Sequence, residues 1–133
     1  MRLSGTTVLL VEDDLDNLEL LALCLEGDGA QVLSASSIAA ALAVSAGRRI
    51  DVVVSDIELP DGDGYALLRQ VRSREGCARL PAIAVSGYSQ DQWRSRATAS
   101  GFNRFAVKPF AIESLIAAIV SLKGAADDES ATI

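Results

Sequence analysis

The chain has 133 residues, half of them hydrophobic but only 5% aromatic, and a formal net charge of −6. A chain of this length fits one domain and can bury an aliphatic core without disulfide or metal support. The negative charge argues against a direct nucleic-acid partner, because such binding depends on neutralising phosphates with Lys and Arg.

Residues that are absent or unpatterned exclude further classes. The chain has no His, which excludes histidine-based catalysis and most zinc sites. Its two cysteines, Cys24 and Cys77, form no CxxC pair, which favours a reducing cytoplasm over a structural disulfide. No stretch approaches the ~20 apolar residues of a membrane span, and the N-terminus lacks a signal-peptide pattern. We therefore expect a cytoplasmic protein without membrane contact.

Short β-branched runs alternate with longer helical patterns along the chain. TVLLVE at 7–12 is a continuous apolar run, typical of a strand covered on both faces. From Leu15 the period changes. A helix is predicted there by apolar residues at helical spacing, Leu18, Leu21, Ala22 and Leu25, and GDG at 27–29 ends it. Further strands are predicted at 30–35, 51–56, 81–87 and 104–107, a loop at 59–64 (LPDGDG), and further helices at 37–47, 65–74, 90–100 and from Ile112 onward.

This order of elements predicts the fold class. Five β/α units in strict alternation indicate a parallel sheet with helices on both faces. Right-handed crossovers favour a flavodoxin-like doubly wound (βα)5 sandwich, with a five-stranded parallel sheet in the order 2-1-3-4-5. We predict that this domain covers residues 6–122 and that residues 123–133 form a flexible acidic tail.

Polar residues follow or end four of the five predicted strands. Glu12 ends the first predicted strand and Asp13 comes directly after it. Asp56 ends the third strand, Ser86 lies at the end of the fourth, and Lys108 follows the fifth. Any one of them is explained by solvation at a loop, but their convergence at the carboxyl edge of a parallel sheet favours a site. Asp13 and Asp56 come from neighbouring strands, and such like charges resist joint ionisation unless a cation lies between them.

These side chains indicate phosphoryl transfer. Carboxylates without His or Cys select Mg²⁺ or a similar ion such as Mn²⁺. Lys108 adds a second positive charge and Ser86 a hydroxyl for the same anion. An Asp carboxylate can itself accept a phosphoryl group. Asp56 is the better candidate because it stands alone after VVVS, although the spacing leaves Asp13 open.

The motifs LLVEDD, VVVSDIELPDGDG, AVSG and FAVKPF resemble, in order and spacing, those of receiver domains of bacterial two-component response regulators. The resemblance implies that Asp56 is phosphorylated from a phosphohistidine of a histidine kinase or histidine phosphotransfer domain. It also implies Mg²⁺ (or Mn²⁺) bound by Asp13 directly, by Glu12 through water, by Asp56 and by the backbone carbonyl of Glu58. The chain is then no enzyme beyond self-phosphorylation and autodephosphorylation.

The same resemblance implies a switch. Ser86 and Phe105 match the switch positions, Lys108 matches the family's lysine, and the Lys108–Pro109 bond is typically cis. Phosphorylation would bias a pre-existing equilibrium and alter the surface of the fourth helix, fifth strand and fifth helix. That surface would regulate a downstream output protein or domain, from a monomer or a weak phosphorylation-dependent dimer.

Other residues carry secondary expectations. Glu58 and Tyr88 occupy positions where the resemblance implies control of the aspartyl-phosphate lifetime through water access. Trp93, on the polar fourth helix, either marks a partner site or packs over the sheet edge. Asp14 lies just outside the motif and is expected to be solvated or to cap the first helix.

Three rival functions are weighed against this one. A haloacid-dehalogenase-type phosphatase needs a second Asp where Glu58 stands, and a cap domain or substrate pocket for which this chain has little spare length. A flavodoxin-like FMN binder needs a Ser/Thr/Gly-rich loop after the first strand, which is missing. A degenerate receiver acting only as an interaction module conflicts with the intact Asp56, Ser86 and Lys108. A stand-alone regulator and the C-terminal receiver of a hybrid sensor histidine kinase both stay open.

Overall fold

A computed structural model of the chain describes residues 1–87, 101–124 and 131–132. The helix predicted at 90–100, with Trp93, lies outside these described residues. The elements are β1 (Thr7–Val11), α1 (Leu15–Gly27), β2 (Gln31–Ala35), α2 (Ile38–Ser45), β3 (Val52–Asp56), β4 (Glu58–Leu59), β5 (Gly62–Asp63), α3 (Gly64–Arg72), β6 (Ala82–Ser86), β7 (Arg104–Val107), α4 (Ile112–Gly124) and β8 (Ala131–Thr132).

The main sheet is parallel and has the order β2-β1-β3-β6-β7-β8. Its first five members are the five predicted strands, so the doubly wound order 2-1-3-4-5 is confirmed. The sixth, β8, pairs Ala131 with Arg104 and Thr132 with Phe105. It belongs to the segment predicted as a flexible tail, most of which lies outside the described residues.

Two apolar layers cover the faces of the sheet, because successive side chains of a strand point to opposite sides. Leu9 and Val11 of β1 belong to the layer packed under α2 and α3. Val8 and Leu10 belong to the layer packed under α1 and α4. The third strand, β3, is buried at all five positions, as expected for a central strand of a parallel sheet covered on both faces.

Side-chain caps begin three of the helices at the carboxyl edge of the sheet. Asp14 Oδ1 accepts a hydrogen bond from the Asn17 N–H at 3.1 Å at the start of α1, so its expected capping role is confirmed. Ser37 and Asp63 cap α2 and α3 in the same way. Each cap satisfies a backbone N–H group that has no partner within its helix, at the edge that carries the candidate site.

The segment after β3 has more structure than the predicted loop. Glu58 pairs with Asp63, and Leu59 with Gly62, as a two-stranded antiparallel hairpin (β4–β5) whose turn is Pro60–Asp61. No described helix is long and apolar enough to cross a membrane.

Candidate functional site

The parallel register brings the predicted polar residues to one edge. Val11 pairs with Ser55, Asp56 with Val85, and Ser86 with Val107. The strands β1, β3, β6 and β7 therefore end side by side, and the residues at or just after their ends are neighbours. This is the carboxyl edge at which doubly wound sheets bind ligands.

Three carboxylates form a compact acidic group at this edge. Glu12, Asp13 and Asp56 each offer one oxygen, and these oxygens all lie within 4.8 Å of one another. Glu12 is 2% exposed and Asp56 9% exposed, whereas Asp13 is open to solvent. An oxygen-only donor set of this size fits a hard divalent cation, with room for water or a phosphate oxygen on the exposed side.

Lys108 lies between two of these carboxylates. Its Nζ donates to Glu12 Oε1 at 2.7 Å and to Asp56 Oδ2 at 3.1 Å. Burial of the ammonium lowers its pKa, but the hydrogen bond to Glu12 and the charge of Asp56 outweigh burial, so the pKa of Lys108 is raised. The lysine is therefore a fixed positive charge across the physiological pH range.

The peptide bond between Lys108 and Pro109 is cis, as the resemblance implied. The Lys108 N–H donates to the carbonyl oxygen of Ser86 at 2.7 Å, which ties the residue after β7 to the end of β6. Ser86 itself is 2% exposed.

Close backbone packing constrains Asp56. The Glu58 N–H donates to Asp56 Oδ1 at 3.3 Å, and the Gly64 N–H donates to the carbonyl oxygen of Ile57 at 2.8 Å. A Cβ on Gly64 would lie 2.6 Å from the carbonyl oxygen of Asp56, so this position requires glycine. The Glu58 side chain is exposed beside the site.

Of the predicted switch and lifetime residues, the structure describes all but one. Phe105 is 4% exposed and lies in β7 two positions before Val107, the partner of Ser86. The ring belongs to the apolar layer under α2 and α3. Tyr88 lies outside the described residues, so its lifetime role stays a prediction.

A cleft of about 600 Å³ opens beside the acidic group, and sequence reasoning missed it. It lies between α1 and the segment after β7. Leu20 lines it and is 60% exposed, and nearby on α1 Leu15 and Leu23 are 66% and 59% exposed. Glu12 and Lys108 complete the lining on the side of the site. The available signal was three leucines outside the helical spacing that predicted the buried face.

Sequence reasoning also missed Asp61, which was assigned only to a loop. Its two carboxylate oxygens accept hydrogen bonds from the N–H groups of Ile38 and Ala39. The contact joins the hairpin after β3 to the N-terminus of α2. No local pattern predicts it, since the partners are more than 20 positions apart.

Comparisons with known proteins agree with this geometry. Residues 8–120 match the family model of the response regulator receiver domain. The KDP operon transcriptional regulatory protein KdpE of Escherichia coli is 34% identical over 110 residues, 83% of this chain and 48% of that protein. The sensor kinase CckA of Brucella abortus is 37% identical over 117 residues, 85% of this chain but 12% of that protein.

A solved structure of a receiver domain matches the fold over most of both chains. The non-phosphorylated HemR receiver domain from Leptospira biflexa superposes with a TM-score of 0.81 and 29% identity, covering 92% of this chain and 98% of that one. This chain thus spans about half of KdpE, a small part of CckA and nearly all of an isolated receiver domain.

Proposed function

Because the chain belongs to the response regulator receiver domain family, we propose that it takes a phosphoryl group onto Asp56 from a phosphohistidine. The donor is a histidine kinase or a histidine phosphotransfer domain. The observation that carries this proposal is the position of Lys108, whose ammonium contacts Glu12 and Asp56 at the rim of the three-carboxylate group.

Glu12, Asp13, Asp56 and the backbone carbonyl of Glu58 would bind Mg²⁺, or Mn²⁺ in its place. The acidic group supports this assignment, because three carboxylates without His or Cys suit a hard cation. When bound, the ion supplies positive charge for the phosphoryl oxygens and offsets the repulsion among the carboxylates. Asp13, the exposed member, is the one most open to an ion from solvent.

The chain's own residues perform the transfer. An Asp56 carboxylate oxygen forms the new bond to phosphorus as the bond to the donor's histidine nitrogen breaks, and that nitrogen keeps the electron pair. The Lys108 ammonium turns from its carboxylates to a phosphoryl oxygen, and the Ser86 hydroxyl donates to another. No external substrate is turned over, so the chain acts as a signalling module that phosphorylates and dephosphorylates itself.

Phosphorylation would switch the surface of β7 and α4, which the resemblance extends to the helix predicted at 90–100. Ser86 and Phe105 lie on adjacent strands with little exposed surface. A move of Ser86 toward the phosphoryl group therefore opens space that the Phe105 ring can enter. The altered surface regulates an output protein or domain, from a monomer or a weak dimer. Glu58, exposed beside Asp56, would tune the phosphoryl lifetime together with Tyr88.

The phosphodonor would dock over the cleft beside α1. The exposed Leu20, which lines the cleft, offers apolar contact area, and Glu12 and Lys108 line the same cleft. A donor helix laid here brings its phosphohistidine to Asp56 without crossing the sheet.

Both cysteines are free, which supports the cytoplasmic location predicted from the sequence.

Acetyl phosphate with Mg²⁺, followed by intact mass spectrometry, tests the proposal. We expect one phosphoryl adduct on the wild type and none on Asp56→Asn. Asp63→Asn is the matched control, since it makes the same chemical change in a residue that caps α3, and it should retain the adduct. An adduct that persists in Asp56→Asn would point to another acceptor, and no adduct on the wild type would favour the degenerate receiver.

A further inference from the structure

One side chain, Asp61, fixes the loop after the phosphoacceptor to a helix distant in sequence. Its Oδ1 accepts a hydrogen bond from the Ile38 N–H at 2.8 Å, and its Oδ2 accepts one from the Ala39 N–H at 3.0 Å. Asp61 lies in the turn of the β4–β5 hairpin, and both donors belong to the first turn of α2. The contact therefore joins two elements instead of shaping the loop locally.

The N-terminus of α2 depends on this contact. The hydroxyl of its own cap, Ser37, accepts the Ala40 N–H at 3.1 Å, and the first turn of α2 contains no acidic residue. The first N–H groups of a helix lack partners within the helix, and the helix dipole favours negative charge there. Asp61 supplies both, and the N–H groups of Ala39 and Ile38 lower the pKa of its carboxyl.

Gly62 provides a second anchor through close packing. Its φ is +149°, and a Cβ there would lie 2.7 Å from Ile38 Cδ1. Glycine therefore allows the hairpin to approach α2 more closely than another residue would. Ile38 is 7% exposed and belongs to the same apolar layer as Leu59, the partner of Gly62. The hairpin thus contacts α2 through both a polar and an apolar group.

The other end of the hairpin lies at the phosphorylation site. Glu58, whose carbonyl is the proposed metal ligand, pairs with Asp63 and donates its N–H to Asp56 Oδ1. Only one residue pair, Leu59 with Gly62, separates this end from the turn that contains Asp61. A hairpin this short moves as a unit, so a shift of Asp61 is transmitted to the Glu58 backbone.

We propose that Asp61 is a positioning residue: by binding the N-terminus of α2 it fixes the β4–β5 hairpin and so holds the Glu58 carbonyl in place for the divalent cation. The inference rests on the proposed function, because that function assigns Glu58 to the metal site. Asp61 acts through Glu58 and is not itself a ligand.

Calorimetric titration of the full chain with Mg²⁺ tests the inference, using Asp61→Ala, Asp61→Asn and Ser37→Ala. Ser37→Ala is the matched control, because it removes a cap from the same helix but leaves both hydrogen bonds to the hairpin. We expect Asp61→Ala to raise the Mg²⁺ Kd about tenfold, and Ser37→Ala to change it less than about twofold. Asp61→Asn keeps one carbonyl acceptor and should be intermediate.

A metal-free readout separates this inference from the proposed function. In Mg²⁺-free buffer, the amide protons of Glu58 and Gly64 should exchange at least about fivefold faster in Asp61→Ala than in Ser37→Ala. Equal Mg²⁺ affinity, or equal exchange, in these two variants would overturn the inference. If the wild type binds no Mg²⁺, that result contradicts the proposed metal site itself. The role of Asp61 in binding that ion is then overturned as well.

Discussion

Two partly buried cations lie at opposite edges of the sheet, and their partners differ in kind. Lys108, at the carboxyl edge, contacts two carboxylates. Arg72, at the amino edge near the starts of β6 and β7, donates to the carbonyl oxygens of Leu80 and Gly101 and to Asn103 Oδ1. The electrostatic result is opposite: burial lowers the pKa of Arg72, whereas the carboxylates raise the pKa of Lys108.

This difference in partners means that Arg72 makes a structural contact, whereas Lys108 belongs to a site that can exchange partners. Arg72 uses its planar fork to satisfy neutral acceptors at fixed positions, and Asn103 Oδ1 also accepts the Ala82 N–H. Lys108 is a compact charge on a flexible stem, and its carboxylate partners are also candidate metal ligands. Its ion pairs can therefore be replaced when a divalent ion and a phosphoryl group arrive. The acceptors of Arg72 are neutral oxygens, so an arriving divalent ion would not compete with Arg72 for them in the same way.

Removal of the lysine ammonium should have the largest effect. We expect Lys108→Met to slow phosphorylation by acetyl phosphate about 100-fold at saturating Mg²⁺, because the transferred phosphoryl group loses a positive charge. Phosphorylation followed over time by intact mass measures the rate. Lys123→Met is the control, since that lysine donates to Thr6 Oγ1 and should leave the rate unchanged. A rate within about threefold of the wild type in Lys108→Met would contradict the role of this charge.

Arg72 should affect the free energy of unfolding and not the phosphorylation rate. We expect Arg72→Met to lower the free energy of unfolding by about 2–3 kcal/mol, because the carbonyl oxygens of Leu80 and Gly101 lose charged donors. Urea unfolding measures this change, and the phosphorylation rate of the folded variant should match the wild type. A loss of phosphorylation in a variant that stays folded would mean that the two edges are coupled.

The smallest expected effect is a change in the free energy of unfolding at alkaline pH. A raised pKa for Lys108 means that its ion pairs contribute stability fully below the ordinary value of 10.5, and that this contribution is lost as pH rises through the higher folded-state pKa. Between pH 7 and about 10 the wild type and Lys108→Met should differ by a constant amount. Above pH 10.5 the difference should shrink, by less than about 1 kcal/mol. Urea unfolding across this range checks the sign, and a gap that widens would refute it.

Much of the fold could be predicted because it depends on local patterns. The continuous apolar run of β1, the leucine spacing of α1 and the alternation of units are each visible in the sequence without knowledge of the fold. Topology rules then restricted the strand order, and β2, β1, β3, β6 and β7 follow it. The β4–β5 hairpin was not predicted, since two-residue strands have no periodicity to detect.

The candidate site could be predicted only in part. Glu12, Asp13, Asp56 and Lys108 were predicted to meet because the carboxyl ends of neighbouring parallel strands share an edge. The sequence did not predict that Lys108 contacts the buried Glu12 and Asp56 directly, or that Asp13 is the exposed member of the group. Exposure of that kind depends on which helices and loops cover each strand end.

By itself, then, the sequence determined the class of sheet, its strand order and the edge at which charged residues collect, because these follow from short-range periodicity and chain connectivity. Only the tertiary structure decided the contacts of Asp61 with α2 and of Arg72 with the starts of β6 and β7, and the cleft beside α1. Those features join residues far apart in the chain. Their distances are set by how whole elements pack, and no window of neighbouring residues contains that information.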